Sequence, residues 1–120
     1  ERLNPIKERL SDVIQQCMGD VLKLPADKRA HRFIPIEREN MYFPGGRSDA
    51  YTVIEINMMA GRQKDTIKAL IKSLFHEIEE QLAIKPVDIE IIVTEQPAHC
   101  WGFRGMTGVE ALGLTYKINV

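Results

Sequence analysis

Residues 51–84 read "YTVIEINMMAGRQKDTIKALIKSLFHEIEEQLAI", and two hydrophobic periods meet inside them. Through Ala60 the pattern alternates: Thr52, Ile54, Ile56, Met58 and Ala60 share one face, and Tyr51, Val53, Glu55, Asn57 and Met59 the other. That predicts a strand. Beyond the turn "AGRQKD", the residues Ile67, Leu70, Ile71, Leu74, Phe75, Ile78 and Leu82 recur at spacings of three and four, which predicts a long amphipathic helix. A second strand is expected in "DIEIIVTE" (88–95). A helix linking two strands of one sheet implies that they run parallel.

Upstream, Asn4 can cap a helix, Pro5 suits its first position, and Ile6, Leu10, Val13, Ile14, Cys17 and Val21 form one stripe at about 100° per residue. "HRFIPIE" (31–37) reads as a short extended run, and its Pro35 suits an edge or irregular strand. "RENMYFPGGRSD" reads as a loop, "AHCWGFRG" (98–105) as a turn or loop, and "LTYKINV" (114–120) as a terminal strand.

Shifting the chain by 61 lays one half over the other: Ile6 meets Ile67, Leu10 meets Ile71, Val13 meets Leu74, Cys17 meets Ile78, Pro25 meets Pro86 and Asp27 meets Asp88. The expected architecture is α+β, one domain over residues 1–120, with two tandem β-α-β units forming a four-stranded mixed sheet, two helices on one face and a C-terminal strand. The second unit's strand at 51–60 has no counterpart before Glu1, and the sequence does not open on Met. Either a first strand ahead of Glu1 is missing from this sequence or the first unit is incomplete by design, and the absent Met favours loss.

Composition narrows the function classes. Sixteen basic and seventeen acidic residues give a net charge of −1 over 120 residues, with no basic cluster to hold a phosphate backbone. Neither a nucleic acid nor a membrane is expected as partner, since no apolar run reaches the roughly 18 residues that a span requires and "ERLNPIKERL" lacks a signal-peptide core. Cys17 and Cys100 are too few for a disulfide framework and read as reduced thiols of a cytoplasmic protein.

Three stretches carry a family resemblance: "LPADKRAHRFIPI" (24–36), "INMMAGRQKDTIKALI" (56–71) and "EQPAHCWGFRG" (95–105). With the duplicated β-α-β pattern, they resemble the tautomerase superfamily, in its fused two-unit form and its malonate semialdehyde decarboxylase-like branch. The resemblance implies a homotrimer, no cofactor, and chemistry centred on an N-terminal proline whose secondary amine moves a proton. An α-amine titrates at roughly 7.7–8.0, which burial or nearby cations lower toward working pH. Pro5 does not stand in for that residue, because it lies at a helix start.

Arg62 follows the first strand and precedes the long helix, so its guanidinium can meet a carboxylate bidentately beside helix N-terminal amides. It matches the family's substrate-carboxylate arginine, although the bare pattern also fits a surface arginine. The decarboxylase has a second arginine two residues earlier. This chain has Ala60 there, which counts against malonate semialdehyde decarboxylation. The decarboxylase's aspartate aligns without gaps to Lys28, with Asp27 beside it, so either could lie in the site; the pairing of Asp27 with Asp88 in the repeat instead suggests a shared turn or cap role for those two.

Trp101 and Phe103 flank Gly102, and in an extended segment both rings point the same way. A pocket wall and simple packing are both open. Arg104 reads as a rim charge. His31, His76 and His99 stand at no ligand spacing, so no metal is expected, and His76 lies about 180° from its helix's apolar stripe.

The expected function is keto-enol tautomerisation, or related proton transfer, on a small carboxylate-bearing substrate held by Arg62, Trp101 and Phe103. The catalytic residue itself is unassigned. The alternative is a catalytically silent homologue kept for binding or assembly.

Overall fold

The computed structural model describes residues 4–25 and 28–113. A 3-10 turn over Asn4–Ile6 leads into helix α1, Lys7–Leu22. The α-helix proper thus begins later than the capping pattern at Asn4 and Pro5 suggests, with Ile6 at its N-cap and no side-chain cap bond. Strand β1 is Thr52–Met59, helix α2 is Lys64–Leu82 and strand β2 is Ile89–Gln96. Strands β3, Gly102–Phe103, and β4, Met106–Thr107, close the described elements with a 3-10 turn at Glu110–Gly113.

Strands β1 and β2 pair in parallel, from Thr52 opposite Ile89 to Met59 opposite Gln96. This register puts Ile54, Ile56 and Met58 on the same face as Ile89, Ile91 and Val93, because side chains alternate with a period of two. Both helices cover that face. Leu10, Val13, Cys17 and Leu22 of α1 and Leu70, Leu74 and Ile78 of α2 form one buried cluster with the strand residues. Burying a Leu or Ile side chain contributes about 1.5–3 kcal/mol, so each member of this cluster is a substantial favourable contribution to the fold.

The helices run antiparallel. Arg9, near the start of α1, donates to the carbonyl of Gln81 near the end of α2 at 2.9 Å, while the Cys17 thiol further along α1 bonds Ser73, further back along α2. Each helix stops on a left-handed residue, Lys23 at φ 60° and Ala83 at φ 57°, whose N–H bonds the carbonyl of Gly19 or Glu79. Neither is glycine, yet both close the last turn by the left-handed cap bond.

After α2, Asp88 is buried and its two carboxylate oxygens each accept at 2.7 Å, one from the Ser48 amide and one from the Ser48 hydroxyl. This fastens the loop before β1 to the turn before β2. It is a turn role for Asp88; Asp27, its counterpart in the repeat, lies outside the described residues.

The structure refines three expectations. The described residues carry two separate two-stranded sheets, β1–β2 and β3–β4, in place of a four-stranded mixed sheet. Residues 31–37, expected as an extended run, form no ladder among the described residues, since an extended run becomes a strand only with a partner and Pro35 has no N–H to donate. The stretch "AHCWGFRG", read as a turn or loop, is a 3-10 turn at Ala98–Cys100 that runs into the β3–β4 hairpin. Arg104 at φ 53° and Gly105 at φ 75° make its two-residue turn, the doubly positive geometry that suits hairpin twist. The terminal strand expected at 114–120 lies outside the described residues.

Candidate active site

The site lies where β1 ends. The Ala60 N–H donates to the Gln96 carbonyl at 2.8 Å, extending the ladder by one bond, and the chain then reverses at Gly61. Gly61 has φ 133°, a backbone conformation costly to a residue with a Cβ. Arg62 follows, and Gln63 forms the N-cap of α2. The turn carries Arg62 back under the strand end, where its Nη1 donates to the Met59 carbonyl at 3.2 Å.

A cavity of about 150 Å³ opens beside this turn. Met18 and Leu22 of α1 form part of its wall, followed by Leu24 and Lys28 from the segment after the helix. Asn57, Met58 and Met59 come from the end of β1. Arg62, Trp101 and Phe103 complete the lining. The structure thus brings together Arg62, Trp101 and Phe103, which are distant in sequence. Lys28 joins them, while Asp27 lies outside the described residues.

Trp101 is held by three hydrogen bonds. Its indole Nε1 donates to the Gln96 carbonyl at 3.1 Å, its backbone N–H to the Ala98 carbonyl at 3.1 Å, and its carbonyl accepts from Gly108 at 2.8 Å. Gly108 is buried, and a Cβ there would run into the Ala98 carbonyl and lie 3.0 Å from both the Met59 Cε and the Trp101 Cβ. The aromatic wall is therefore fixed by a glycine that no motif marks. Phe103 sits one strand position beyond Gly102, on β3.

Lys28 and Arg62 are cations, Asn57 is a neutral amide, the rest are apolar or aromatic, and none of the lining residues is Asp or Glu. Such a wall can hold an anion, and charge interactions gain strength where apolar side chains exclude water. No group of three His, Cys, Asp or Glu is placed to hold an ion among the described residues.

The histidines and cysteines lie elsewhere. His31 Nδ1 is 2.7 Å from the Ser11 hydroxyl on α1, and burial, with the Arg29 cation as a lesser cause, pushes its pKa below the ordinary value. His76 is exposed beside Glu77, and His99 is exposed in the turn before Trp101. Cys17 is buried in the core and Cys100 is exposed, and both are free thiols.

Met18 and Leu22 belong to the wall although they lie off the narrow stripe predicted for the first helix. The signal was present: the apolar arc of α1 is wider than one stripe, and its second edge faces the cavity. Gln15, buried on the same helix, carried no such signal.

Comparison with known proteins gives the family. A family model described as tautomerase enzyme matches residues 28–104. Among solved structures, a fused 4-OT described as an asymmetric trimer superposes with TM-score 0.79 at 23% identity, covering 92% of this chain and 90% of that one. A malonate semialdehyde decarboxylase inhibited by 3-bromopropiolate gives TM-score 0.70 at 22% identity, covering 95% and 91%. A member of the cis-3-chloroacrylic acid dehalogenase family gives 0.76 at 16% identity, covering 87% and 73%. These are likenesses of fold, and the family match spans more than half of the sequence, including Lys28, Arg62, Trp101 and Phe103. The chain belongs to the tautomerase family.

Proposed function

We propose that the protein catalyses keto-enol tautomerisation, or a closely related proton transfer, on a small carboxylate-bearing substrate. The observation that carries this reading is the convergence of Arg62, Trp101 and Phe103 on one cavity whose lining has no acidic residue. Arg62 holds the substrate carboxylate. The rings of Trp101 and Phe103, with the methionines, exclude water from the reacting carbon.

Enolisation removes a proton from the carbon next to the carbonyl and places negative charge on the carbonyl oxygen. A preorganised cation in a largely apolar cavity favours that charge more than it favours the neutral ketone, which is the differential stabilisation catalysis needs. The proton itself needs a base near neutral pKa. Each of the six prolines here is preceded by another residue, so its nitrogen is an amide and not basic. The base is assigned, as part of the proposal, to an N-terminal proline ahead of Glu1, and the subunits to a homotrimer, the latter on the strength of the trimeric fused 4-OT.

Mass spectrometry of the mature N terminus tests the base directly, and a first residue other than Pro removes the proline mechanism. Arg62→Ala tests the site: carboxylate binding should weaken about tenfold or more with the fold intact, as for loss of a charged hydrogen bond. Unchanged affinity takes Arg62 out of the site.

A second reading, a silent homologue that binds without turnover, is favoured by Ala60 and Lys28, which stand where the decarboxylase branch has arginine and aspartate. A keto-enol assay on an aryl pyruvate separates the two. A rate equal to buffer, with the native N terminus intact, supports silence.

A further inference from the structure

We propose that residues 28–36 form a pH-sensitive strap over α1, which protonation of His31 releases, opening the part of the cavity wall that Leu24 and Lys28 supply. As regulation of that site it rests on the proposed reading of the cavity; as a movement it rests on the strap's own contacts.

The strap is held by side chains. Residues 29–36 make no backbone hydrogen bond among the described residues, and Ile34 and Ile36 are 71% and 44% exposed. Phe33 packs against the core cluster, and two polar contacts reach adjacent residues of α1. Arg29 Nη1 donates to Asp12 Oδ1 at 2.7 Å, and His31 Nδ1 lies 2.7 Å from the Ser11 hydroxyl.

Spacing sets the path of the strap. Lys28 stands in the cavity wall with Met18, and His31 meets Ser11. Seven residues of helix and three of extended chain each span about 10 Å, so the strap runs back along α1 over the stretch between those contacts. Gln15 lies in that stretch, one turn after Ser11. It is buried, and its Nε2 has no hydrogen-bond partner among the described residues. A buried donor left unsatisfied is destabilising, and release of the strap relieves it by admitting water.

His31 is the switch because of the bond it makes. Arg29 Nη1 also donates to the Ser11 oxygen, at 3.4 Å, which leaves the Ser11 O–H to turn toward a neutral His31 Nδ1. Once protonated, that nitrogen is a donor, the contact inverts, and two cations crowd one hydroxyl oxygen in a half-buried place. Burial first, and Arg29 second, already hold the His31 pKa below its ordinary value, the direction expected of a closed strap that prefers the neutral ring. On α1, Asp12 is paired with Arg29, and one turn back stand Lys7, half-buried, and Glu8, exposed. Falling pH therefore favours the released strap, which takes the proton more readily.

The test reads Trp101, the one tryptophan of the chain, in the lining of the same cavity. Acrylamide quenching of its fluorescence is followed from pH 8 to pH 5 in a His99→Gln background, because His99 is exposed two residues away and quenches the indole when protonated. The quenching constant should rise at least about twofold as pH falls below about 6.5, the ordinary histidine value. In His31→Gln it should stay at its high-pH value throughout. In His31→Lys, a standing cation, it should take the low-pH value already at pH 8. Circular dichroism at each pH confirms that the fold persists.

A flat profile with His31 present, or the same rise in His31→Gln, overturns the strap. Because no carboxylate ligand enters the measurement, failure here leaves the proposed function standing, and failure of the Arg62→Ala binding test leaves the strap standing.

Discussion

The indole Nε1 of Trp101 donates to the carbonyl oxygen of Gln96 at 3.1 Å, and the same oxygen accepts the Ala60 N–H at 2.8 Å. One carbonyl at the end of β2 thus fixes both the strand end that leads to Arg62 and the ring that walls the cavity. The two parts of the site share an anchor.

Replacing Trp101 with Phe keeps a ring and removes the donor. The Gln96 oxygen retains its backbone partner, so the expected loss of stability is about 0.5–1.5 kcal/mol, the net worth of one hydrogen bond, together with reduced packing. Urea unfolding followed by circular dichroism measures it. A midpoint identical to wild type would show that the indole bond does not hold the hairpin.

Gly108→Ala places a Cβ against the Ala98 carbonyl, a backbone atom that cannot swing aside, and 3.0 Å from the Trp101 Cβ. Overpacking of this kind costs about 1–3 kcal/mol, and here relief requires the hairpin to move. We expect both a lower melting temperature and a changed tryptophan emission spectrum, since this chain has one Trp. An unchanged spectrum with unchanged stability contradicts the close packing at Gly108.

His31 gives a pH signature. Its folded pKa is lowered, first by burial and then by Arg29, so the folded state favours the neutral ring. The unfolded chain then binds the proton first as pH falls. The stability contributed by neutral His31 is complete above the unfolded value of about 6.5 and is lost as pH drops from there through the lower folded pKa. Thermal melts of wild type and His31→Gln between pH 8 and pH 5 should show the wild type losing stability faster. Parallel curves would exclude the linkage.

The two cysteines should react at different rates. Cys17 is buried in the core, and its thiol pKa is raised by burial more than its bond to Ser73 lowers it, so little thiolate forms there. Cys100 is exposed. A thiol-specific disulfide reagent should label one equivalent quickly and the second only on unfolding. Two fast equivalents would place Cys17 outside a stable core.

The α+β class, both helices and the parallel β1–β2 pair were legible because each depends on local periodicity. Alternation at Thr52–Met59 and three-four spacing at Lys64–Leu82 leave little choice of element, and a helix between two strands leaves little choice of direction. The sheet count was not legible at 28–37, because a strand exists only with a partner and pairing is not written in the run that is paired. The hairpin at Gly102–Thr107 was hidden by its length, two residues a side.

Arg62, Trp101 and Phe103 could be named as candidates from residue type and resemblance, but nothing local says that they meet. Tertiary structure alone made that decision. The reversal at Gly61, the close approach at Gly108 and the shared carbonyl of Gln96 bring a turn, a hairpin and the segment after α1 to one cavity. It also decided that Lys28 stands in the same wall. Sequence by itself determined the two long helices and the strands β1 and β2, because those are set by neighbours along the chain. Which charges share a cavity is set by neighbours in space, through packing and hydrogen bonds between segments far apart in sequence.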